Sequence, residues 1–263
     1  MNDIVVSLVL GLIQGLTEFL PISSSAHLLL PSLIFGTTDL GLSFDIAVHA
    51  GTLVAVIYFF KSEIKNMVTS FVAYEPNLKQ HNQLAILLIV ATLPIILVGL
   101  LSSEIIEQRI FNTSTIALAN LFFALLLLLA FIYRKGNKTI YEVTIYGALI
   151  IGVVQCFALI PGASRSGTAI TAALFIGLNL KDASKFSFML GIPTILGALV
   201  FLLLEIQTVD ISYNFLNLII GFLVSMFIAF FTIKYFLIFI EKIGMMPFVA
   251  YRVALGIVLL LLF

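Results

Sequence analysis

Twice in this chain an apolar stretch is broken by a proline and resumes behind serines, and the second break reads as a copy of the first. The first copy runs Gly11-Leu-Ile-Gln14, then Leu20-Pro21-Ile-Ser23-Ser24-Ser25-Ala26-His27. The second runs Gly152-Val-Val-Gln155, then Ile160-Pro161-Gly162-Ala-Ser164-Arg165-Ser166-Gly167. Gln14 aligns with Gln155 at a separation of 141, and Pro21 with Pro161 and Ser24 with Ser164 at 140, so one gap reconciles the two halves. Downstream, the Gly51-Thr52 segment resembles the Pro193-Thr194 segment at a separation of 142. An internal duplication restricts the fold to two related halves, and the repeated break is the candidate site.

The medium follows from composition. Hydrophobic residues make up 62% of the chain and charged ones 10%, with a mean hydropathy of +1.22. These values belong to a polytopic membrane protein and exclude a soluble enzyme or a nucleic-acid binder. There is no Trp, so interfacial anchoring falls to the 8 Tyr, to Phe and to basic residues. Cys156 stands alone, without a disulfide partner or metal-ligand spacing, and reads as a packing residue. Asp3, with no basic residue before the first apolar run, argues against a signal peptide.

A crossing helix needs about 20 apolar residues. Six segments qualify, near 44–60, 83–102, 115–133, 186–204, 214–236 and 248–263. Two shorter pairs do not, 4–20 with 23–36 and 144–160 with 164–178, each parted by Pro21 or Pro161. Second arms of about 15 residues reach only about 22 Å, short of a hydrocarbon core of about 30 Å. The economical reading is two re-entrant helical hairpins; the alternative is a pair of kinked or tilted spans. The expected fold is therefore an all-α integral membrane protein of about six transmembrane helices plus two re-entrant hairpins. Its two membrane repeats, 1–137 and 138–263, form one integrated domain. Three crossings per repeat is an odd number, so the repeats acquire inverted topology and their tips can meet inside the membrane.

Charge placement orients this threading. Lys61, Lys65, Lys79, Arg134, Lys135, Lys138, Lys181, Lys185, Lys234 and Lys242 fall on one face, and only Arg109 on the other. Arg165 sits in the second hairpin and Arg252 just inside the last helix. The positive-inside rule makes the basic face cytoplasmic. Both termini and the mouth of the first hairpin then lie on the outer face of a bacterial cytoplasmic membrane.

The hairpins concentrate chemistry. Gln14 and Glu18, four apart, leave one helix face, and Gly11 and Gly15 let another helix approach. A carboxylate here must be paired or hydrated. Ser23, Ser24 and Ser25 precede a new helix, whose free amides and serine caps suit an anion; Ser24 and His27 would share one face of it. In the second hairpin, Gly162 permits close approach, Ser164, Ser166 and Thr168 offer hydroxyls, and Arg165 offers a fork suited to phosphate oxygens. Gln14 and Glu18 supply oxygens for a hard divalent cation, Mg²⁺ first and Ca²⁺ second. His27 can move a proton near neutral pH. The competing reading is structural, with Glu18 and Arg165 a buried ion pair, the serines plain caps and His27 a core residue. Asp45 and His49 are spaced to pair with each other. His81, Glu104 and Glu107 read as solvated loop residues, and Glu205 and Asp210 as flanks of a helix end.

These motifs resemble the BacA/UppP family of undecaprenyl pyrophosphate phosphatases. Gln14 to Pro21 is similar to that family's Glu/Gln-x-x-x-Glu motif, Pro21 to His27 to its Pro-x-Ser-Ser-x-x-His segment, and Pro161 to Ser166 to its Pro-Gly-x-Ser-Arg-Ser motif. The resemblance covers essentially the whole chain. It implies an inverted-repeat membrane enzyme, often a homodimer, that removes the terminal phosphate of its polyprenyl pyrophosphate lipid. That reaction recycles the carrier for cell-wall synthesis and confers bacitracin resistance. It also implies an essential Glu18 near the metal, catalytic Ser24 and His27, and a pyrophosphate-binding Arg165 flanked by Ser164 and Ser166. Two positions depart from the pattern: Gln14 stands where many members carry Glu, and Thr168 lies one residue before the threonine of some members.

The expected activity is thus hydrolysis of undecaprenyl pyrophosphate, with Ser24 favoured as nucleophile and His27 or water as alternatives. The prenyl tail would run between helices into membrane lipid. The rival is a lipid flippase or secondary transporter, because inverted repeats with broken helices are also transporter architecture. Glu18 and His27 lack counterparts in the second repeat, where the alignment places Leu159 and Gly167; that asymmetry favours chemistry.

Overall fold

A computed structural model describes residues 3–28, 36, 40–72, 78–102, 112–206 and 214–262, with backbone alone at 204–206 and 262. Most of the first hairpin's second arm, together with Glu104, Glu107, Arg109, Asp210 and the Glu205 side chain, lies outside the described residues.

The described chain folds into helices α1 (Asp3–Thr17), α2 (Leu42–Phe59), α3 (Lys61–Val72), α4 (Lys79–Leu101) and α5 (Thr113–Tyr133), followed by α6 (Ile145–Gln155) and α7 (Arg165–Phe175). It ends with α8 (Leu180–Ile206), α9 (Phe215–Ile243) and α10 (Met246–Leu262). A short helical stretch at 24–28 follows α1. Among the described residues there is no strand, only an isolated bridge between Lys138 and Leu178. Helices α2, α4, α5, α8 and α9 are long and apolar enough to cross a membrane. The sixth expected crossing is α10, a shorter helix of 17 residues. Leu, Ile, Val and Phe side chains stay exposed around the bundle, as at Leu97, Phe122, Phe227 and Phe231. That surface suits lipid and not water. The fold is an all-α, multi-pass membrane protein.

The expected cytoplasmic loop at 61–83 is partly helical, and α3 is the difference. Its polar and apolar residues alternate at helical spacing, only Met67 is buried, and Glu63 holds Lys185 of α8 at 3.0 Å. His81 is likewise not simply solvated, lying half-buried within 3.4 Å of the Asn66 amide and 3.5 Å of the Tyr141 hydroxyl.

The packing pairs helices at matching positions along the two halves of the chain. Helix α1 packs on α9, and its counterpart α6 packs on α4, the counterpart of α9. Helices α2 and α8, and likewise α5 and α10, face their own counterparts. The seams depend on small residues. A Cβ on Gly15 would sit 2.8 Å from the Ser225 carbonyl oxygen of α9, and one on Gly152 would collide with the Ala91 carbonyl of α4. Helix α7 lies at the centre, buried from Ser166 through Leu174. Its Gly167, Ala169, Ala172 and Ala173 let α5, α6 and α8 close around it.

Candidate active site

Both first arms end at the same depth of sequence, and the chain then turns into a new helix through a strained serine. Ser23 has φ 72° and Ser164 has φ 73°, the only described non-glycine residues in the left-handed region. That conformation costs about 1–3 kcal/mol and is held only where the surroundings enforce it. The enforcement is reciprocal. Ser23 and Ser25 hydroxyls lie 3.1 Å apart, and Ser164 and Ser166 hydroxyls 3.2 Å apart. Ser25 Oγ accepts from the Gly162 amide of the opposite tip at 3.4 Å, while Ser166 Oγ donates to the Leu20 carbonyl at 2.8 Å. Ser164 also caps α7 by accepting from the Gly167 amide at 3.1 Å.

This geometry corrects the alignment. Ser164 matches Ser23 and not Ser24, so the separation is 141 from the glutamines through the helix starts. The local likeness of the Pro–Ser segments concealed a linker one residue longer after Pro161 than after Pro21. Ser24 therefore corresponds to Arg165, and His27 to Thr168 instead of Gly167. The two equivalents Ser24 and Arg165 converge on one carboxylate. Ser24 Oγ donates to Glu18 Oε2 at 2.9 Å, and Arg165 Nη2 donates to Glu18 Oε1 at 3.0 Å.

Around that carboxylate the polar groups are nearly saturated. Gln14 Nε2 donates to Glu18 Oε2 at 3.0 Å, whereas Gln14 Oε1 is buried without a partner. Arg165 Nη1 donates to the Ser187 carbonyl at 3.0 Å, and its Nε is buried without a partner. Gly191 makes this possible, since a Cβ there would collide with the guanidinium. His49 Nδ1 meets the Asp45 backbone carbonyl at 2.7 Å. Its Nε2 faces Glu18 Oε2 at 3.8 Å, so the expected Asp45–His49 pairing instead aims the imidazole at the site.

A cavity of about 250 Å³ opens on this cluster. Glu18, Ser23, Ser24, Ser25, His49, Ser164, Arg165 and Thr194 are its polar lining. Ile95 of α4, Ala158 and Leu159 of the second hairpin, and Ile195, Ala198, Leu199 and Leu202 of α8 are its apolar lining. The polar groups suit a phosphate and the apolar side chains a hydrocarbon chain.

The remaining expected residues stand back from the cavity. Gly162, with φ 95°, presses on the Ile116 carbonyl. Thr168 Oγ1 donates to the Arg165 carbonyl at 2.9 Å. Cys156 is half-buried, its Sγ 3.4 Å from the Gly152 carbonyl. His27 is not brought to Ser24. Its Nδ1 sits 2.7 Å from the Ser23 carbonyl, its Nε2 2.7 Å from the Tyr251 hydroxyl, and its ring stacks on Tyr251.

Sequence reasoning missed Arg252, which it placed at the basic end of the last helix. Arg252 is fully buried and reaches both tips. It donates to the carbonyls of Pro21 at 3.3 Å, Gly162 at 2.8 Å and Ala163 at 3.1 Å. Its Nε donates to Asn120 Oδ1 at 2.9 Å, and Asn120 Nδ2 returns a bond to the Arg252 carbonyl at 2.7 Å. The available signal was an arginine inside an apolar helix, a costly placement that asks for a partner. Nothing in the sequence pointed to Asn120 or Tyr251.

Comparison with known proteins places the whole chain in one family. The chain is 46% identical over 258 residues to an undecaprenyl-diphosphatase of Saccharophagus degradans, covering 97% of this chain and 96% of that one. It is 42% identical over 256 residues to an undecaprenyl-diphosphatase of Alcanivorax borkumensis, covering 97% of each. The model of the bacitracin resistance protein BacA family matches residues 7–258. With its duplicated tips, a paired carboxylate and the arginine-bearing second hairpin all inside that match, the chain belongs to the BacA family.

Proposed function

We propose that this protein is an undecaprenyl-diphosphatase, hydrolysing undecaprenyl pyrophosphate to undecaprenyl phosphate and inorganic phosphate. The observation that carries the reading is the convergence of Ser24 and Arg165, from two helix starts, on the two oxygens of Glu18 in a cavity lined by both polar and apolar side chains. The names of both relatives point to the same substrate.

Glu18 accepts the Ser24 proton as Oγ attacks the terminal phosphorus; the bond to the bridging oxygen breaks and undecaprenyl phosphate departs. Water then hydrolyses the phosphoserine, releasing inorganic phosphate and returning the proton to Ser24. Arg165, with a free Nε and a fork suited to phosphate oxygens, stabilises the charge developing on the transferred group. The 2.9 Å bond supports Glu18 over His27 as the base. Ser23, Ser25, Ser164 and Ser166 fix the tips that present these groups. The apolar wall from α4 and α8 receives the first isoprene units and passes the tail toward lipid.

A divalent cation fits this donor set. Glu18 and Gln14, whose Oε1 is buried without a partner, would hold Mg²⁺ or Ca²⁺ together with phosphate oxygens. Bound there, it supplies charge neutralisation.

The site would open toward the outer face of a bacterial inner membrane. The contacts Lys185–Glu63 and Lys181–Glu241 gather the basic segments at one end of the bundle, the end the positive-inside rule makes cytoplasmic. Cysteines at positions 3 and 135 in a Cys156→Ser background test this with an impermeant thiol reagent on intact cells. Labelling at 3 and protection at 135 is expected, and the reverse pattern overturns the orientation. The activity is tested with purified protein in detergent, where no sealed compartment exists. Phosphate release from farnesyl pyrophosphate, abolished by Ser24→Ala, is expected. Absence of release from the wild type would leave a transporter as the better reading, and turnover retained by Ser24→Ala would return the nucleophile to His27 or water.

A further inference from the structure

We infer that Arg252 is a positioning residue for the phosphate site, setting the distance between the two hairpin tips and the direction of their peptide groups; the inference rests on the phosphatase reading above.

A buried guanidinium needs a reason. Moving it out of water costs several kcal/mol, and the usual compensation is a carboxylate. None is among the hydrogen-bond partners of Arg252, which are three backbone carbonyls and Asn120 Oδ1. Those carbonyls come from both hairpins, Pro21 from the first and Gly162 with Ala163 from the second. A planar fork with five donors spans them at once; no neutral side chain does. The Asn120–Arg252 exchange ties the fork to both α5 and α10, elements that belong to different repeats. Packing is fitted to the same purpose. A Cβ on Gly167 would lie 3.0 Å from Arg252 Nη1, and one on Gly162 would collide with the Ile116 carbonyl of α5.

The consequence for the site is geometric. In a trans peptide the carbonyl and the following N–H point in opposite directions. Holding the Ala163 carbonyl toward Arg252 therefore turns the Ser164 N–H away from it, and Ser164 lines the cavity. One residue further on, Arg165 begins α7 and reaches Glu18. On the other tip, the Pro21 carbonyl fixes the entry to Ser23 and Ser24. Arg252 thus acts on Ser24 and Arg165 from behind, touching no reacting atom.

Purified full-length variants assayed in detergent with farnesyl pyrophosphate decide the matter. Lysine keeps the charge but cannot span three carbonyls and Asn120, so Arg252→Lys should lower kcat by about 100-fold, the scale of a misplaced transition-state donor. KM should change by less than about threefold, because ground-state binding resides in the prenyl path. In an Arg165→Ala background, the same substitution should cost clearly less than about 100-fold, since one of the two groups it positions is already gone and only the placement of Ser24 remains to be lost. Full multiplication of the two losses, or a kcat for Arg252→Lys within about threefold of wild type, overturns the inference. If Arg252→Lys does not fold, Asn120→Ala decides: a kcat lowered by about 3- to 10-fold at unchanged KM supports positioning. A lowered Tm with kcat and KM intact shows a structural tie only. Wild type that releases no phosphate would overturn the function itself, an outcome separate from every one of these.

Discussion

Hairpin one brings Glu18, Ser24 and His27 to its tip where hairpin two brings Leu159, Arg165 and Thr168, yet the two backbones turn through the same left-handed serine. Each tip hands a serine hydroxyl to the other's backbone, and a single arginine holds both. The scaffold is symmetric and the chemistry is not. Two matching turns supply two facing helix starts, and unlike residues after them make one tip carry a carboxylate and a hydroxyl and the other a guanidinium. Reaction needs opposite charges and unlike groups across the cavity, so the symmetry is useful only because it is broken.

The comparison is sharpest where the two tips meet. Glu18→Gln removes the carboxylate that accepts from Ser24 and the anion that holds Arg165, so kcat should fall by about 10²–10⁴-fold while the protein remains folded in detergent. Arg165→Lys keeps the charge of the second tip but not its fork. A loss of about 100-fold in kcat/KM is expected, and near-normal activity would reduce the arginine to bulk positive charge.

Stability tests the symmetric side. Gly11 and Gly152 are equivalent, but a Cβ on Gly11 would lie 3.1 Å from its neighbours while one on Gly152 would collide with the Ala91 carbonyl. Gly152→Ala should therefore cost about 1–3 kcal/mol and Gly11→Ala clearly less, read as the shift in Tm. Equal effects would mean that both seams yield alike. The smallest effect is expected at the entry to hairpin two, where Thr139 and Glu142 form a capping box. The Thr139 backbone N–H, and then its hydroxyl, hold the Glu142 carboxyl below its usual range. A depressed carboxyl contributes stability above its unfolded value and loses it as pH falls through the folded one. The Tm difference between wild type and Glu142→Gln should be small at pH 7 and vanish in acid; a difference that grows in acid would reverse the sign.

Much of this was legible before any coordinates. Apolar runs of about 20 residues required helices in lipid, because a helix of that length spans the bilayer and satisfies every backbone group within its own segment. The proline breaks and serine runs marked both tips, and the spacing of Gln14 with Glu18 correctly placed them together. Boundaries were harder: α3 formed where a loop was expected, since a short amphipathic helix on a basic face carries too little apolar sequence to stand out.

What the chain order could not settle was which groups meet. Ser24 and Arg165 are far apart in sequence and equivalent in space, and a one-residue difference in linker hid their relation. His27 shared the expected helix turn with Ser24 but turned to Tyr251, and His49 came to Glu18 instead. Arg252 read only as a residue just inside the last helix and became the buried tie between the two hairpin tips. Local spacing fixes which face a residue takes on its own helix. The partner it finds there depends on how separate helices pack, and in this protein close packing of one repeat against the other decides it.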